Sequence, residues 1–360
     1  MHRFFCFTLI LFLSACSDLG YYWNMTRGHL ALMNQRVDIE VMLEQPGLDT
    51  DLRQRLLLIQ QIRAFSVERL ALPESDSYNN YVQLDRPYVL QNLFAASEFS
   101  TQLHRWCYPI VGCASYRGYY DEERLNEYVE HLSAQGFDTH IGYVPAYSTL
   151  GWFDDPVLSS FIDWPDYRLA GLLFHELTHQ RVFIDDDTQF NESLAVAVQL
   201  AGTELWLESV HKDTQMGEFK RWIEYRRRVV ALIGQTREKL SQLYETEADD
   251  ATKREKKQAI FATSREAYSV IAENLNYKDG FKTWFAGELN NAKIGSVSAY
   301  NTHAPAFLAM IEALDYDFSA FFDMAQEIGA MDRTAREHCL TWWRVAKAIN
   351  DKSCPKIVPP

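Results

Sequence analysis

Apolar positions recur at helical spacing over most of this chain, and they break where Pro, Gly or acidic residues accumulate. Residues 21 to 45 read as one helix with Leu30, Met33, Val37 and Val41 on its apolar side, ended by Pro46-Gly47. Residues 49 to 72 read as a second, carrying Leu52, Leu56, Ile59, Ile62 and Leu70, and Pro73 follows it. The two together predict an αα-hairpin. A mixed section from Glu74 to Ser115 contains the strand-like Tyr81-Val82-Gln83-Leu84, and Asp121 to Gln135 returns to helix. Between Phe137 and Phe153 the period changes. Thr139 to Pro145 alternates as a strand does, and Thr149 to Pro156 reads as a second strand ending in a turn, or as part of a twisted connector.

The pattern then becomes helical again over Tyr167 to Phe183, with Leu169, Leu172, Leu173 and Leu177 in register. Asp163 is the expected N-cap of this helix, Pro165 suits its first turn, and Asp166 suits its positive end. Asp185 to Thr188 reads as a turn, followed by a helix with Phe190, Leu194, Val198, Ala201 and Leu205. Residues 216 to 274 are strongly charged yet helical, with an acidic break at 246 to 251, which predicts a long antiparallel hairpin. Gly280 to Tyr300 is looser, and helices resume from Pro305 to Cys354. The fold class expected is mainly α with a small β-sheet (α+β), residues 16–360 forming a single domain that includes the hairpin at about 216–274.

The chemistry concentrates in His175-Glu176-Leu177-Thr178-His179, an H-E-x-x-H sequence inside a predicted helix. Residues four apart share a helix face, so His175 and His179 can hold one Zn²⁺ per chain while Glu176 beside them handles a proton. Chance alone produces this spacing in roughly 2% of chains with ordinary glutamate usage. A catalytic zinc needs a third protein ligand. Asp185 lies ten residues after His175, and Glu192 lies thirteen after His179. Asp185 would suit a helix broken by a glycine three residues past the second histidine, but Val182 stands there. If the helices meet in a tight antiparallel turn, His179 and Glu192 each lie roughly 7–9 Å from it, at one height. Glu192 is therefore the expected ligand.

Length, charge and cysteines narrow the setting. A chain of 360 residues has ample material for a core. Its net charge of −14 argues against nucleic-acid binding, which needs basic stripes. Met1-His2-Arg3 followed by the apolar run Phe4 to Leu13 reads as a signal peptide over residues 1–15, too short to span a bilayer. Leu13-Ser14-Ala15-Cys16 resembles the lipobox of bacterial lipoproteins. That resemblance implies a lipid on Cys16 at the mature N-terminus, a membrane partner through this anchor, and an address in the envelope facing the periplasm. Ser17 in place of aspartate points to the outer membrane. Cys107, Cys113, Cys339 and Cys354 then remain, and four cysteines in an oxidising compartment allow three pairings. The local ones, Cys107–Cys113 and Cys339–Cys354, close short loops.

H-E-L-T-H followed by Phe190-Asn191-Glu192-Ser193-Leu194-Ala195 resembles the gluzincin metallopeptidases, whose third ligand is a glutamate in an N-E motif. With the lipobox and the Gly20-Tyr21-Tyr22-Trp23 start, the chain resembles the predicted-aminopeptidase family of bacterial lipoproteins. The resemblance implies a zincin-like core, peptide substrates, and ligands His175, His179 and Glu192 with Glu176 as base. An oxyanion donor is expected from Tyr300 or His303, which otherwise read as ordinary surface or core residues. An aminopeptidase also holds a free α-amino group, and Asp154 and Asp155, after Gly151, Trp152 and Phe153, are the carboxylates placed to do so, unless they only shape the turn before Pro156. Two alternatives stay open: a zinc endopeptidase, and a non-enzymatic envelope lipoprotein that uses a structural zinc and the hairpin for partners. Replacing Cys16 with Ala is expected to leave the chain uncleaved or released from the membrane; unchanged processing and fractionation would count against the lipobox.

Overall fold

The computed structural model describes residues 20–108, 112–146, 149, 153–185, 187–277, 280–297, 303–345 and 354. The chain begins with helix α1 (20–33), strand β1 (Val37–Asp38), α2 (Ile39–Leu43) and α3 (Thr50–Leu70). Short strands follow: β2 (Asn80–Val82), β3 (Leu90–Ser97), β4 (Trp106–Tyr108), β5 (Gly112–Ala114) and β6 (Arg117–Tyr119). Then come α4 (Glu122–Ala134), β7 (Phe137–Val144), β8 (Val157–Leu158), α5 (Asp166–Arg181) and α6 (Thr188–Ser209). The long α7 (Asp213–Tyr244) and α8 (Asp250–Asn274) precede α9 (Gly280–Ala286), α10 (Asn291–Ser296), α11 (Ala304–Ala313), α12 (Phe318–Gly329) and α13 (Arg333–Val345). The fold is mainly α with small sheets of two or three strands, the class expected. No helix among the described residues is long and apolar enough to cross a membrane.

The chain divides into two compact units, each gathered from three separate stretches. One comprises 1–36, 82–147 and 225–298; the other comprises 37–81, 148–224 and 299–360. Such interleaving leaves no linker for composition to mark. In the first unit, β3 lies between β6 and β7 in an antiparallel sheet, with Leu90 opposite Val144 and Ser97 opposite Phe137. Leu125 and Leu132 of α4 close its core against Leu93, Ala95, Trp106 and Tyr119. The same unit holds the antiparallel pair formed by α8 and the part of α7 from Tyr225 onward. The Tyr225 and Tyr268 hydroxyls meet at 3.0 Å, and those of Thr236 and Ser264 at 2.9 Å. Cys107 and Cys113 are bonded across the β4–β5 pair.

The second unit packs α3, α5, α6, α11, α12 and α13 together, with the three-stranded sheet β1-β2-β8 at hand, β2 ending on the first residue of the other unit. Cys339 of α13 is bonded to Cys354. The first turn of α5 is its electrostatic hub. Asp166 accepts hydrogen bonds from Arg55 (2.6 Å), Gln215 (2.9 Å) and Lys212, while Arg55 also donates to the Ile162 and Trp164 carbonyls. A carboxylate at a helix N-terminus is favoured by the helix dipole as well.

Four local expectations are corrected. The first helix stops at residue 33, not 45: the chain turns at Asn34-Gln35, pairs Val37 with Tyr81 as β1, and restarts under an Asp38 cap that accepts from the Glu40 and Val41 amides. Val37 and Val41, expected on a buried stripe, are exposed. This helix and α3, expected as an αα-hairpin, belong to different units. Asp163 does not cap α5; Pro165 occupies that position, and Asp166 serves the helix end. Thr149 and 153–156 are not in a strand, and the two-residue β8 comes just after them, while 150–152 lie outside the described residues.

Burial raises the Asp166 pKa, but the hydrogen bonds from Lys212, Gln215 and Arg55 outweigh it and hold the carboxyl below the usual aspartate range. Asp166→Asn should therefore cost about 2–3 kcal/mol of stability near neutral pH, as lost charge-assisted hydrogen bonds in a mostly buried site do. A depressed folded-state pKa stabilises above the unfolded value and is lost as pH falls through the folded one. Denaturant titrations should show the gap between the two proteins closing below about pH 4; a gap that persists in acid would remove the ionic account.

Candidate metal centre

Helices α5 and α6 run antiparallel, joined by the short turn 182–187. Their close approach is set at Gly171, where an added Cβ would lie 3.2 Å from both Gln199 Cγ and Thr203 Oγ1. α5 stops after Arg181 because Val182 is extended, two residues before the Phe183 at which the helical pattern ends. Asn191, buried at 2% exposure, holds the turn from both sides: its Oδ1 accepts from the Ile184 amide at 2.9 Å and its Nδ2 donates to the Ile184 carbonyl at 2.8 Å. Asp187 caps α6 by accepting from the Phe190 amide at 3.0 Å. Its other oxygen takes the Arg336 guanidinium, which also donates to the Gly329 carbonyl. The start of α6 is thereby fixed to α13.

This framework brings three donor groups together. The Nε2 atoms of His175 and His179 lie 3.3 Å apart, and Glu192 Oε2 and Oε1 lie 3.4 and 3.7 Å from them respectively. All three ligand atoms fall within 4.8 Å of one another, a spacing at which one cation can be shared. The site is mostly buried: the His175, His179 and Glu192 side chains are 17%, 5% and 34% exposed. Two imidazole nitrogens and a carboxylate suit a borderline divalent ion. Two nitrogens aimed at each other at 3.3 Å need a cation or a proton between them. His175 also presents Nδ1 to Gln199 Oε1 at 3.2 Å, the outer-sphere contact that fixes a metal-binding tautomer. His179 Nδ1 is buried without a hydrogen-bond partner among the described residues. The donor set therefore fits a metal ion.

The charges of the three groups act on one another. Burial lowers the His175 pKa, but the hydrogen bond to Glu192 and the charges of Glu176 and Glu192 outweigh it, so His175 holds its proton above the usual imidazole range. Burial, then the neighbouring His175, pushes His179 down to about 4. Burial opposes ionisation of Glu192, yet the His175 hydrogen bond keeps its pKa below the usual value. A cation would take the place of the His175 proton.

The remaining expected residues are placed as follows. Glu176 is half-buried on α5, outside the ligand group. Asp185 is exposed in the turn and also outside that group. His303 is buried at the N-terminal end of α11, 3.4 Å from Glu337, with its amide donating to Ser193 Oγ. Asp154 is exposed, whereas Asp155 is buried at 1% with its carboxylate accepting from the Thr149 amide and hydroxyl, both at 2.9 Å. Tyr300, Gly151, Trp152 and Cys16 lie outside the described residues.

Sequence reasoning missed the residues around Glu176. Ser77 Oγ accepts from Gln180, one turn past Glu176 on α5, at 3.1 Å, and from the Asp155 amide at 3.3 Å. Next to it, Tyr78 is buried at positive φ of 65°, its amide on the Asp155 carbonyl at 2.6 Å. Burial, then the charges of Glu176 and Asp155, drive the Tyr78 pKa far up, so its phenol stays neutral. Nothing local in the sequence marks this pairing across about a hundred residues. Gln199 was findable: it lies seven residues after Glu192, two turns along the same face.

A mainly helical protein with a buried His-His-Glu centre on an H-E-x-x-H helix is the class that fold and site define. The chain belongs to the family described as "Putative aminopeptidase", whose model matches residues 20–340. No curated protein and no solved structure matches it.

Calorimetric titration with Zn²⁺ tests the ligand set. Glu192→Gln should weaken binding by more than the roughly 10–100-fold that losing an outer-sphere partner costs, and Gln199→Ala should fall inside that range. Asp185→Asn should bind as wild type does; a loss equal to that of Glu192→Gln would put the carboxylate ligand in the turn instead.

Proposed function

We propose that this protein is a zinc-dependent aminopeptidase of the bacterial envelope, held to the membrane by a lipid on Cys16. Family membership supports peptide hydrolysis as the broad activity. The observation that carries the finer reading is the convergence of His175, His179 and Glu192, with Glu176 one residue from the first ligand. The N/O donor set suits zinc, and the four cysteines outside residues 1–16 are bonded in pairs, so no thiolate competes for the ion.

When bound, zinc supplies positive charge that polarises a peptide carbonyl and makes water nucleophilic near neutral pH. The protein's own groups do the rest. Glu176 takes a proton from the attacking water and delivers it to the leaving amine nitrogen, a transfer worth about 10²–10⁴-fold in rate. His175 is kept in a fixed tautomer by Gln199. Tyr78, buried and held neutral in part by the charge of Glu176, adds no competing charge beside it. For the substrate's free amine, Asp154 is the exposed carboxylate of the expected pair, since Asp155 is committed to Thr149. The oxyanion donor is assigned to Tyr300 or His303, of which His303 lies 3.4 Å from Glu337.

An endopeptidase would share this centre and would cleave N-terminally blocked peptides, which an aminopeptidase spares. A structural zinc would have no use for Glu176. Glu176→Gln preserves side-chain size and cannot accept a proton at neutral pH. Zinc content and melting temperature should stay at wild-type values while hydrolysis of aminoacyl-4-nitroanilides falls by about 10²–10⁴-fold. Full activity in zinc-loaded Glu176→Gln would sink the base assignment, and loss of fold would indicate a structural site.

A further inference from the structure

Helix α1 has one face built into its unit and one left open. On the inner face Tyr21 stacks on Tyr108, with ring centroids 5.8 Å apart, and the Arg117 guanidinium lies 3.8 Å from the Tyr21 ring centre. Gly28 sits so close to the Tyr120 ring that an added Cβ would be 2.4 Å from it, and Leu32 and Met33 are buried. This contact fixes the helix's rotation. The opposite face then consists of Tyr22, Trp23, Thr26, Arg27, Leu30 and Ala31, adjacent pairs recurring every four residues as a single stripe. Trp23 is 68% exposed and Leu30 50%. A large indole left this far in water at the start of a helix is costly unless something covers it.

Charge says what covers it. The protein carries −14 overall, yet residues 20–36 contain Arg27 and Arg36 and no acidic residue. An indole, a phenol, an aliphatic side chain and an arginine on one helix face, with acids excluded, is the composition of helices that lie in the interface of anionic bilayers. In sequence Cys16 stands four residues before Gly20, where α1 begins, a separation that spans at most about 14 Å when fully extended.

We infer that the exposed face of α1 lies in the headgroup region of an anionic phospholipid bilayer, with Trp23 as the inserted side chain and Arg27 on lipid phosphate. The inference builds on the anchor at Cys16 proposed above and adds a second contact, one that orients the first unit against the membrane instead of leaving it on a free tether. Tyr22 and Leu30 extend the apolar contact to either side of Trp23, and Thr26 and Ala31 are small enough to let the helix lie flat.

The test uses the full lipoprotein reconstituted into phosphatidylethanolamine–phosphatidylglycerol vesicles that contain a lipid with a nitroxide at a shallow acyl position. Tryptophan emission of wild type and Trp23→Phe is compared. Phenylalanine keeps the exposed position apolar, so the fold should be unaffected. The wild type should show a quenched fraction that is absent from Trp23→Phe, and Arg27→Glu should reduce that fraction when phosphatidylglycerol is present. Equal quenching in wild type and Trp23→Phe would overturn the inference. Mass spectrometry of the N-terminal peptide is read in parallel. An acylated Cys16 with unquenched Trp23 leaves the anchor standing and removes the membrane face. A quenched Trp23 on a chain without acylation does the reverse.

Discussion

The close approach of α5 and α6 at Gly171 governs the rest of the second unit. With no side chain there, the two helices come near enough for Gln199 and Thr203 to pack against the α5 backbone, and this contact sets their relative height. At that height His175 and His179 on one helix face Glu192 on the other, and Gln199 reaches the far nitrogen of His175. Every other feature near the centre protects the same alignment. Asn191 closes the turn, Arg336 fixes the α6 cap through Asp187, and Arg55, Lys212 and Gln215 hold the opposite end of α5 through Asp166. Asn191, Asp187 and Asp166 are tolerated in these part-buried positions because each is hydrogen-bonded.

The centre was legible in the sequence to the extent that it depends on helix geometry. H-E-x-x-H sits on one face of a helix whatever surrounds it, and the turn read at Asp185 to Thr188 places Glu192 level with His179. Charged hairpins such as α7–α8 are also readable, since their period is long and regular. What was hidden depends on contacts between distant stretches. The break after residue 33 follows from pairing of Val37 with Tyr81, and periodicity across 30–41 gives no hint of it. Ser77 and Tyr78 bond to Gln180 and Asp155, residues far along the chain. Asp155 looked available for an amine because an aspartate near a turn carries no local sign of being buried.

The same division explains the treatment of charge. The net −14 is not spread evenly: it is absent from residues 20–36 and present in the neighbourhood of the metal centre, where Glu176 and Glu192 raise the proton affinity of His175. The carboxylates at the centre are compatible with a metal ion, and the acid-free helix follows in sequence the cysteine proposed to carry a lipid. Sequence composition reports only the sum of these two regions.

Zinc K-edge X-ray absorption of the purified, metal-loaded protein addresses the central claim, that His175, His179 and Glu192 form one metal site with room for solvent. The account predicts a four-coordinate nitrogen and oxygen shell at about 2.0–2.2 Å with the outer-shell scattering of two imidazoles, and loss of one first-shell oxygen's worth of order in Glu192→Gln. A shell with sulfur at about 2.3 Å, or a signal showing no imidazole scattering, would contradict it.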